Sequence, residues 1–179
     1  MVVLIRQLAA GAVVLMLLLT AVSSIILGMG MPTTVTYIIL VSLLGPALVT
    51  FGIPELAAHL FILYFGVIAD ITPPVAVAAY AASGVAKSDA FQTGVEAFSL
   101  SLNKAIVPFA FVLTPGLVLL KTGVEVTGSD KTYRVLNMAD IMDLSYSIPE
   151  VLIPVIGLFL GVIALGPTVI GYLYSEVSR

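Results

Sequence analysis

The sequence predicts an all-α, multi-pass membrane protein, and three observations carry that prediction. Of the 179 residues, 60% are hydrophobic and 9% charged, against roughly 25% charged in soluble domains, and the mean hydropathy is +1.20. The apolar residues gather into long runs, beginning with Leu8 to Leu27, which matches the roughly twenty residues a helix needs to cross the hydrocarbon core. Two helix-breaking clusters interrupt otherwise apolar sequence, Gly28-Met29-Gly30-Met31-Pro32-Thr33-Thr34 and Asp70-Ile71-Thr72-Pro73-Pro74. Proline removes a backbone donor and clashes with the preceding turn, so each cluster frees carbonyls and N–H groups that lipid cannot satisfy. Broken helices and a re-entrant hairpin of this kind usually form secondary-transporter binding sites, which makes a transport site the first expectation.

Taken in order, Leu8 to Leu27 is a first transmembrane helix whose polar content is Thr20, Ser23 and Ser24. The run is longer than the 7–15 residues of a signal-peptide core and is read as a span that stays. Thr33 to Phe51 is a second helix, with a kink expected at Gly45-Pro46. After the turn at Gly52-Ile53-Pro54, Pro54 to Ala69 forms a short helix with Glu55 at its dipole-favoured start. Val75 to Ala86 is shorter still, so the Pro-Pro break between them is either a hairpin tip or the unwound middle of one helix. From Lys87 to Lys104, Phe91, Val95, Phe98 and Leu102 recur every three or four residues, an amphipathic helix for an interface, capped by Ser88 or Asp89. Ala105 to Leu120 is the next apolar run, interrupted by Pro108 and Thr114-Pro115-Gly116. Residues 121–147 form a polar, solvent-exposed loop in which 124–127 and 132–135 could pair as a hairpin. Ile148 to Tyr174 is a final span. The expected organisation is thus a repeat over 1–120, a polar loop over 121–147 and a C-terminal transmembrane helix over 148–179.

Composition also removes whole classes of function. The chain has no cysteine and one histidine, His59, which excludes thiol catalysis, disulfides and Cys/His zinc sites. A net charge of −3 without a basic run argues against nucleic acid and against a polybasic lipid anchor. Basic residues fall on both sides of any topology, so they assign no sidedness. The natural partners are membrane lipid and other membrane helices.

In the first cluster, the carbonyls of an unwound segment with the hydroxyls of Thr33 and Thr34 suit sodium, a hard cation that takes oxygen ligands, but Gly and Pro build surface turns equally well. Asp70 is the one acid between Glu55 and Lys87. It reads either as a functional intramembrane carboxylate facing substrate or as a headgroup-level cap. Glu55 and His59 lie four apart on one helical face, a geometry for proton coupling or for an interfacial Glu beside a satisfied histidine. Ala78, Ala82 and Ala86 form a small-residue packing stripe. The Ala81-Ala82-Ser83-Gly84 segment resembles that of rhomboid-type membrane proteases, which need a histidine on a later helix. His59 comes earlier, and no nucleophile, base and orienting group come together, so no enzyme is expected.

Three segments together resemble one family: Gly28-Met29-Gly30-Met31-Pro32-Thr33-Thr34 and its continuation to Leu40, the 56–65 stretch around His59, and Ile71-Thr72-Pro73-Pro74 with its continuation to Ala86. They are similar to the C-terminal half of the large, DctM-like membrane subunit of tripartite ATP-independent periplasmic (TRAP) transporters, especially fused permeases that work with TAXI-type solute-binding proteins. The resemblance runs from about residue 8 to 120, and the tail fits the C-terminal extension of such fused permeases. It implies one repeat of an elevator-type, sodium-driven symporter of the cytoplasmic (inner) membrane that imports small organic anions. The sodium site would involve Gly28, Met29, Gly30, Pro32, Thr33 and Thr34 with Thr72, Pro73 and Pro74, and no other cofactor is expected. The implied partners are a first-half permease repeat, a small membrane subunit and an extracytoplasmic solute-binding protein. No first repeat is visible, so the chain is expected to be a fragment, a split subunit or a decayed permease. The alternative is a non-transporting membrane scaffold in which the breaks are only turns.

Overall fold

Helices form wherever an apolar run lacks Gly and Pro, and they stop where those residues cluster. The computed structural model describes residues 2–122, 133–170, 172–173 and 175–176, with side chains over 13–121 and 133–166. Helix α1 (Val2–Gly28) has 27 residues, about 40 Å at 1.5 Å per residue. It ends where Gly30 adopts φ +78° and the Met31 N–H turns back to the Gly28 carbonyl. Pro32 opens α2 (Thr33–Thr50), which runs as one helix through Pro46. A second positive-φ glycine, Gly52, turns the chain into α3 (Glu55–Ala69), again opened by a proline, Pro54.

After the 70–76 break comes α4 (Val77–Ala86), then α5 (Ala90–Leu102), capped by the Asp89 carboxylate accepting the Gln92 N–H at 2.8 Å. The amphipathic segment does not stand alone at an interface. A 3-10 turn at Asn103–Ala105 carries it straight into α6 (Ile106–Leu113), giving one rod over Ala90–Leu113. The reason is local: no Gly or Pro lies between Leu102 and Val107, and Pro108 falls in the first turn of α6, where a missing donor costs least. The apolar run then stops at Leu113 rather than Leu120. Thr114 leaves helical geometry, Pro115–Val118 forms a 3-10 turn, and Leu119 sits at φ +56°.

Strands β1 (Leu120–Thr122) and β2 (Tyr133–Val135) pair antiparallel, with Lys121 opposite Arg134. The second strand of the expected hairpin is therefore present. Its expected first strand, 124–127, lies outside the described residues, and the partner strand is 120–122. Beyond β2 come α7 (Met138–Met142), α8 (Leu144–Ser147), a π-helical turn at Ile148–Leu152 and α9 (Ile153–Ile170). The last helix ends at Ile170, and Tyr172–Leu173 and Ser175–Glu176 pair as β3 and β4. Gly116 passes so close to the Glu150 carbonyl that a Cβ there would collide with it, which seats the 115–118 turn on the π-helical turn.

Three stretches among the described residues are long and apolar enough to cross a membrane: Thr33–Thr50, Ala90–Leu113 and Leu144–Gly166. The core lies where α1, α2 and α3 converge, around the fully buried Leu17, Leu40, Leu48, Phe61 and Ile62. Phe61 and Phe65 meet Phe109 of α6 edge-on, at centroid distances of 5.2 and 6.0 Å, which fixes α6 against α3. In lipid such packing works by close van der Waals fit, because the tails are as apolar as the core.

The polar segment is more ordered than a plain solvated loop. The Asp140 carboxylate takes both guanidinium nitrogens of Arg134 at 2.7 and 2.8 Å and the Lys121 ammonium at 2.9 Å. It also closes a capping box with Asn137. Tyr133 ties this knot to the α2–α3 turn by donating to the Gly52 carbonyl at 3.1 Å. Mixed charges in the sequence are thus partly spent on one another.

Candidate functional site

The two sequence breaks are neighbours in space. Gly28, the last residue of α1, is buried against α3: a Cβ there would lie 2.8 Å from Ala69 Cβ and 2.9 Å from Thr36 Cγ2, with the Gly66 carbonyl 3.6 Å away. A Cβ on Gly30 would lie 3.2 Å from Val75 Cγ1 of the second break. Small residues at 28, 66 and 69 let the backbones approach, so the C-terminal end of α1 meets the C-terminal end of α3. Neither helix carries a basic residue in its last turn. Each helix dipole puts partial negative charge of roughly half a unit at its end, and no basic side chain in either last turn offsets it, although the Gly28, Val67, Ile68 and Ala69 carbonyls each already accept a hydrogen bond from the following turn.

Beyond the juncture the chain restarts twice. Neither Pro32 at the start of α2 nor Ala76 (φ +35°) at the start of α4 offers a side-chain cap, which leaves the first-turn N–H groups of α2 without a side-chain partner, the arrangement that attracts anions. The second break closes part of its own hydrogen bonding. The Asp70 carbonyl accepts the Ala78 N–H at 3.2 Å, the Thr72 carbonyl accepts the Ala76 N–H at 3.0 Å, and Pro74, joined to Pro73 by a cis peptide bond, accepts the Tyr80 hydroxyl at 2.7 Å.

The expected site residues fall into two groups. Gly28 and Thr72 are buried, while Met29, Thr33 and Pro73 are half-buried around the juncture. The Thr72 hydroxyl donates to the Ile68 carbonyl at 2.7 Å, leaving its lone pairs for a cation. Gly30, Pro32, Thr34 and Pro74 are exposed. Asp70 is the half-buried C-cap of α3, and among the described residues its carboxylate has no hydrogen-bond partner.

Ser24 is the residue the sequence reading passed over. It is fully buried, and its Oγ has no hydrogen-bond partner among the described residues. It sits one turn before Gly28 on the same face of α1, with Thr20, also buried, one turn further back. Thr36 of α2, fully buried, packs against Gly28 and donates to the Met31 carbonyl at 3.4 Å. In the sequence these hydroxyls were only the polar content of apolar runs; the spacing Thr20, Ser24, Gly28 was the signal that could have marked them.

Two other expectations resolve differently. His59 is held across helices, with Nδ1 2.8 Å from Tyr37 Oη, while Glu55 Oε1 stands 3.9 Å from Nε2. It is the satisfied histidine of the two readings. The stripe of Ala78, Ala82 and Ala86 is exposed. The packed face of α4 is instead Ala76, Ala79 and Ser83, and Gly94 of α5 fits closely against Ala76, Tyr80 and Pro73.

A family model described as "Tripartite ATP-independent periplasmic transporter, DctM component" matches residues 3–126. None of the curated proteins and none of the solved structures matches the chain.

Proposed function

With residues 3–126 of 179 matched, the chain belongs to the DctM family, the membrane-permease component of TRAP transporters and not an enzyme, and from that premise we propose that it forms the sodium-coupled half of such a permease. The coupling ion is a sodium ion held at the juncture of the two breaks, and the cargo is a small organic anion. The chain works with a first-half repeat, a small membrane subunit and an extracytoplasmic solute-binding protein, of TAXI type, in the cytoplasmic membrane. Movement is of elevator type, with the second break acting as a re-entrant tip.

The observation that carries this reading is the meeting of two uncompensated helix C-termini at Gly28 and Ala69, with the orphaned Ser24 hydroxyl one turn below. Converging C-terminal ends and unwound carbonyls attract a cation. Neutral oxygens bind it without burying a further charge, so Ser24, Thr33 and Thr72 with the Gly28 and Met29 carbonyls are the ligands this chain offers. The uncapped N-terminus of α2 carries the opposite partial charge and suits the carboxylate of the cargo, with Asp70 setting a repulsive limit on where that carboxylate sits.

The test is sodium-dependent uptake in proteoliposomes by the chain assembled with a candidate first half, small subunit and solute-binding protein. Ser24→Ala, Thr33→Ala and Thr72→Ala each raise the half-saturating sodium concentration, Ser24→Ala and Thr72→Ala most because their hydroxyls are buried, whereas Thr34→Ala, at an exposed position, leaves it unchanged. Unchanged sodium dependence in all three, in a verified assembly, removes the ion site from the juncture. No uptake at all favours a scaffold in which the breaks are turns.

A further inference from the structure

The polar knot after β1 is inside out. Its central charge, the Asp140 carboxylate, is only 9% exposed and spends both oxygens on Arg134 and Lys121. Met138 and Met142 of the same helix, α7, are 70% and 73% exposed, and Ile141 is exposed beside them. Positions 138, 141 and 142 share one face of a helix, and 140 lies off it. Val135 before α7 and Leu144 after it are exposed as well. Single apolar side chains on a surface are ordinary, but a cluster of large ones over a buried charge marks a surface that meets something apolar.

Where the chain goes next decides what that is. Two residues after Met142 begins the Leu144–Gly166 stretch, 23 residues long and with none of its apolar window buried. At 1.5 Å per residue it measures about 34 Å, against roughly 30 Å of hydrocarbon core. Its first residue therefore stands at the hydrocarbon boundary, and α7, immediately before it, at the level of the headgroups. Tyr146, in the first turn of that stretch, lies half-buried with its ring 4.2 Å from the Lys121 ammonium, and tyrosine is enriched at that depth. The backbone of α7 is prepared for such a setting: the Asn137–Asp140 capping box satisfies N–H groups at its start.

We propose that α7 is an interfacial anchor whose Met138, Ile141 and Met142 face is immersed in the bilayer at the boundary between headgroups and acyl chains. Lipid is the occupant that chain continuity supplies, because the patch runs directly into a lipid-facing span. Asn137 and Asp143, exposed at the two ends of α7, meet headgroups and water. Tyr133 joins the knot to the Gly52 carbonyl, so the anchor also sets the depth of the α2–α3 turn. The inference rests on the membrane class of the chain and not on sodium coupling or on the cargo.

The chain has no cysteine, so single introduced cysteines report without background. Met138→Cys, Met142→Cys and, as a lipid-facing reference, Phe159→Cys are labelled with bimane in the full chain and reconstituted in phosphatidylcholine vesicles. Quenching by phosphatidylcholine brominated on its acyl chains is compared with quenching by aqueous iodide, with a bimane–glutathione adduct as the aqueous reference. Circular dichroism verifies that each variant is folded. Brominated lipid lowers the emission of the 138 and 142 labels about twofold, as expected for an apolar face buried about 5–10 Å into the interface, and iodide quenches them far less than the adduct. Adding Ile141→Glu to Met142→Cys puts a charge on that face and moves the label from lipid to iodide. Iodide quenching at both positions as strong as on the adduct, without an effect of brominated lipid, would overturn the anchor and leave the patch to a protein partner. Insensitivity to both quenchers would overturn it equally, because the chain itself would then cover the face.

Discussion

At the scale of the residue, the juncture depends on atoms that are missing as much as on those present. Gly28→Ala places a Cβ under 3 Å from both Ala69 Cβ and Thr36 Cγ2, and overpacking of this kind costs about 1–3 kcal/mol. The melting temperature in detergent should fall accordingly. Gly84→Ala, where nothing lies within 4 Å, should hold it or raise it, since alanine is the better helix former. Ser24 gives the complementary prediction. Its hydroxyl is buried without a partner, so Ser24→Ala removes an uncompensated desolvation and leaves the sodium-free protein as stable or more so. If the hydroxyl is a cation ligand, the same variant loses stabilisation by sodium. Paired melts in sodium chloride and choline chloride read both effects. A variant that is less stable without sodium and equally stabilised by it contradicts the assignment.

At the scale of the element, the polar knot after β1 is a pH-dependent clasp. The Arg134 guanidinium, then the Lys121 ammonium, hold the Asp140 carboxyl well below the usual carboxylate range. The folded state thus binds fewer protons at Asp140 than the unfolded chain does, and its contribution to stability is complete above the unfolded value near 4 and lost as pH falls below it. Hydrogen-exchange protection of the β1–β2 pair and of α7 should therefore be flat from neutral pH down to about 5 and decline under about 4. Asp140→Asn should lower protection at neutral pH and abolish that acid step, because it strands two cations. An acid step unchanged in Asp140→Asn would assign it to another group. The same comparison tests whether Tyr133, bonded to the Gly52 carbonyl, transmits the clasp to the α2–α3 turn: Tyr133→Phe should expose the turn amides and spare α7.

At the scale of the whole molecule, α1, α2 and α3 converge tightly among the described residues, with α6 fastened to them by aromatic contacts. The span over Leu144–Gly166 has no buried residue in its apolar window, although Asn103 can clip it by pairing its amide with the Leu165 carbonyl and the Gly166 N–H. A helix so exposed is covered by lipid or by other chains, which agrees with a permease component built to assemble. Reconstituted by itself, the chain should give no sodium-dependent uptake, and uptake should appear only when the first-half repeat, small subunit and binding protein are added. Uptake by the chain alone would show that two copies, or one, suffice for alternating access.

The sequence by itself determined the membrane class, the starts of α2, α3 and α5 and the two breaks, because lipid forces helical backbone and Gly and Pro interrupt it locally, while the ends of α6 and α9 and the start of α4 departed from it. Pro32 and Pro54 open α2 and α3, and Asp89 caps α5, as local chemistry requires. Where the rod over Ala90–Leu113 continues was less legible, since continuity depends on whether a 3-10 turn can absorb Asn103–Ala105. Only the tertiary structure decided that the two breaks touch, that Ser24 is buried without a partner, that Asp140 pairs with Arg134 and Lys121, and that His59 is tied to Tyr37. Apart from the local Arg134–Asp140 pair, six residues apart, each of these is a meeting of residues from segments distant in the chain or a consequence of how helices pack, and periodicity within one helix carries no record of which neighbour its faces will find.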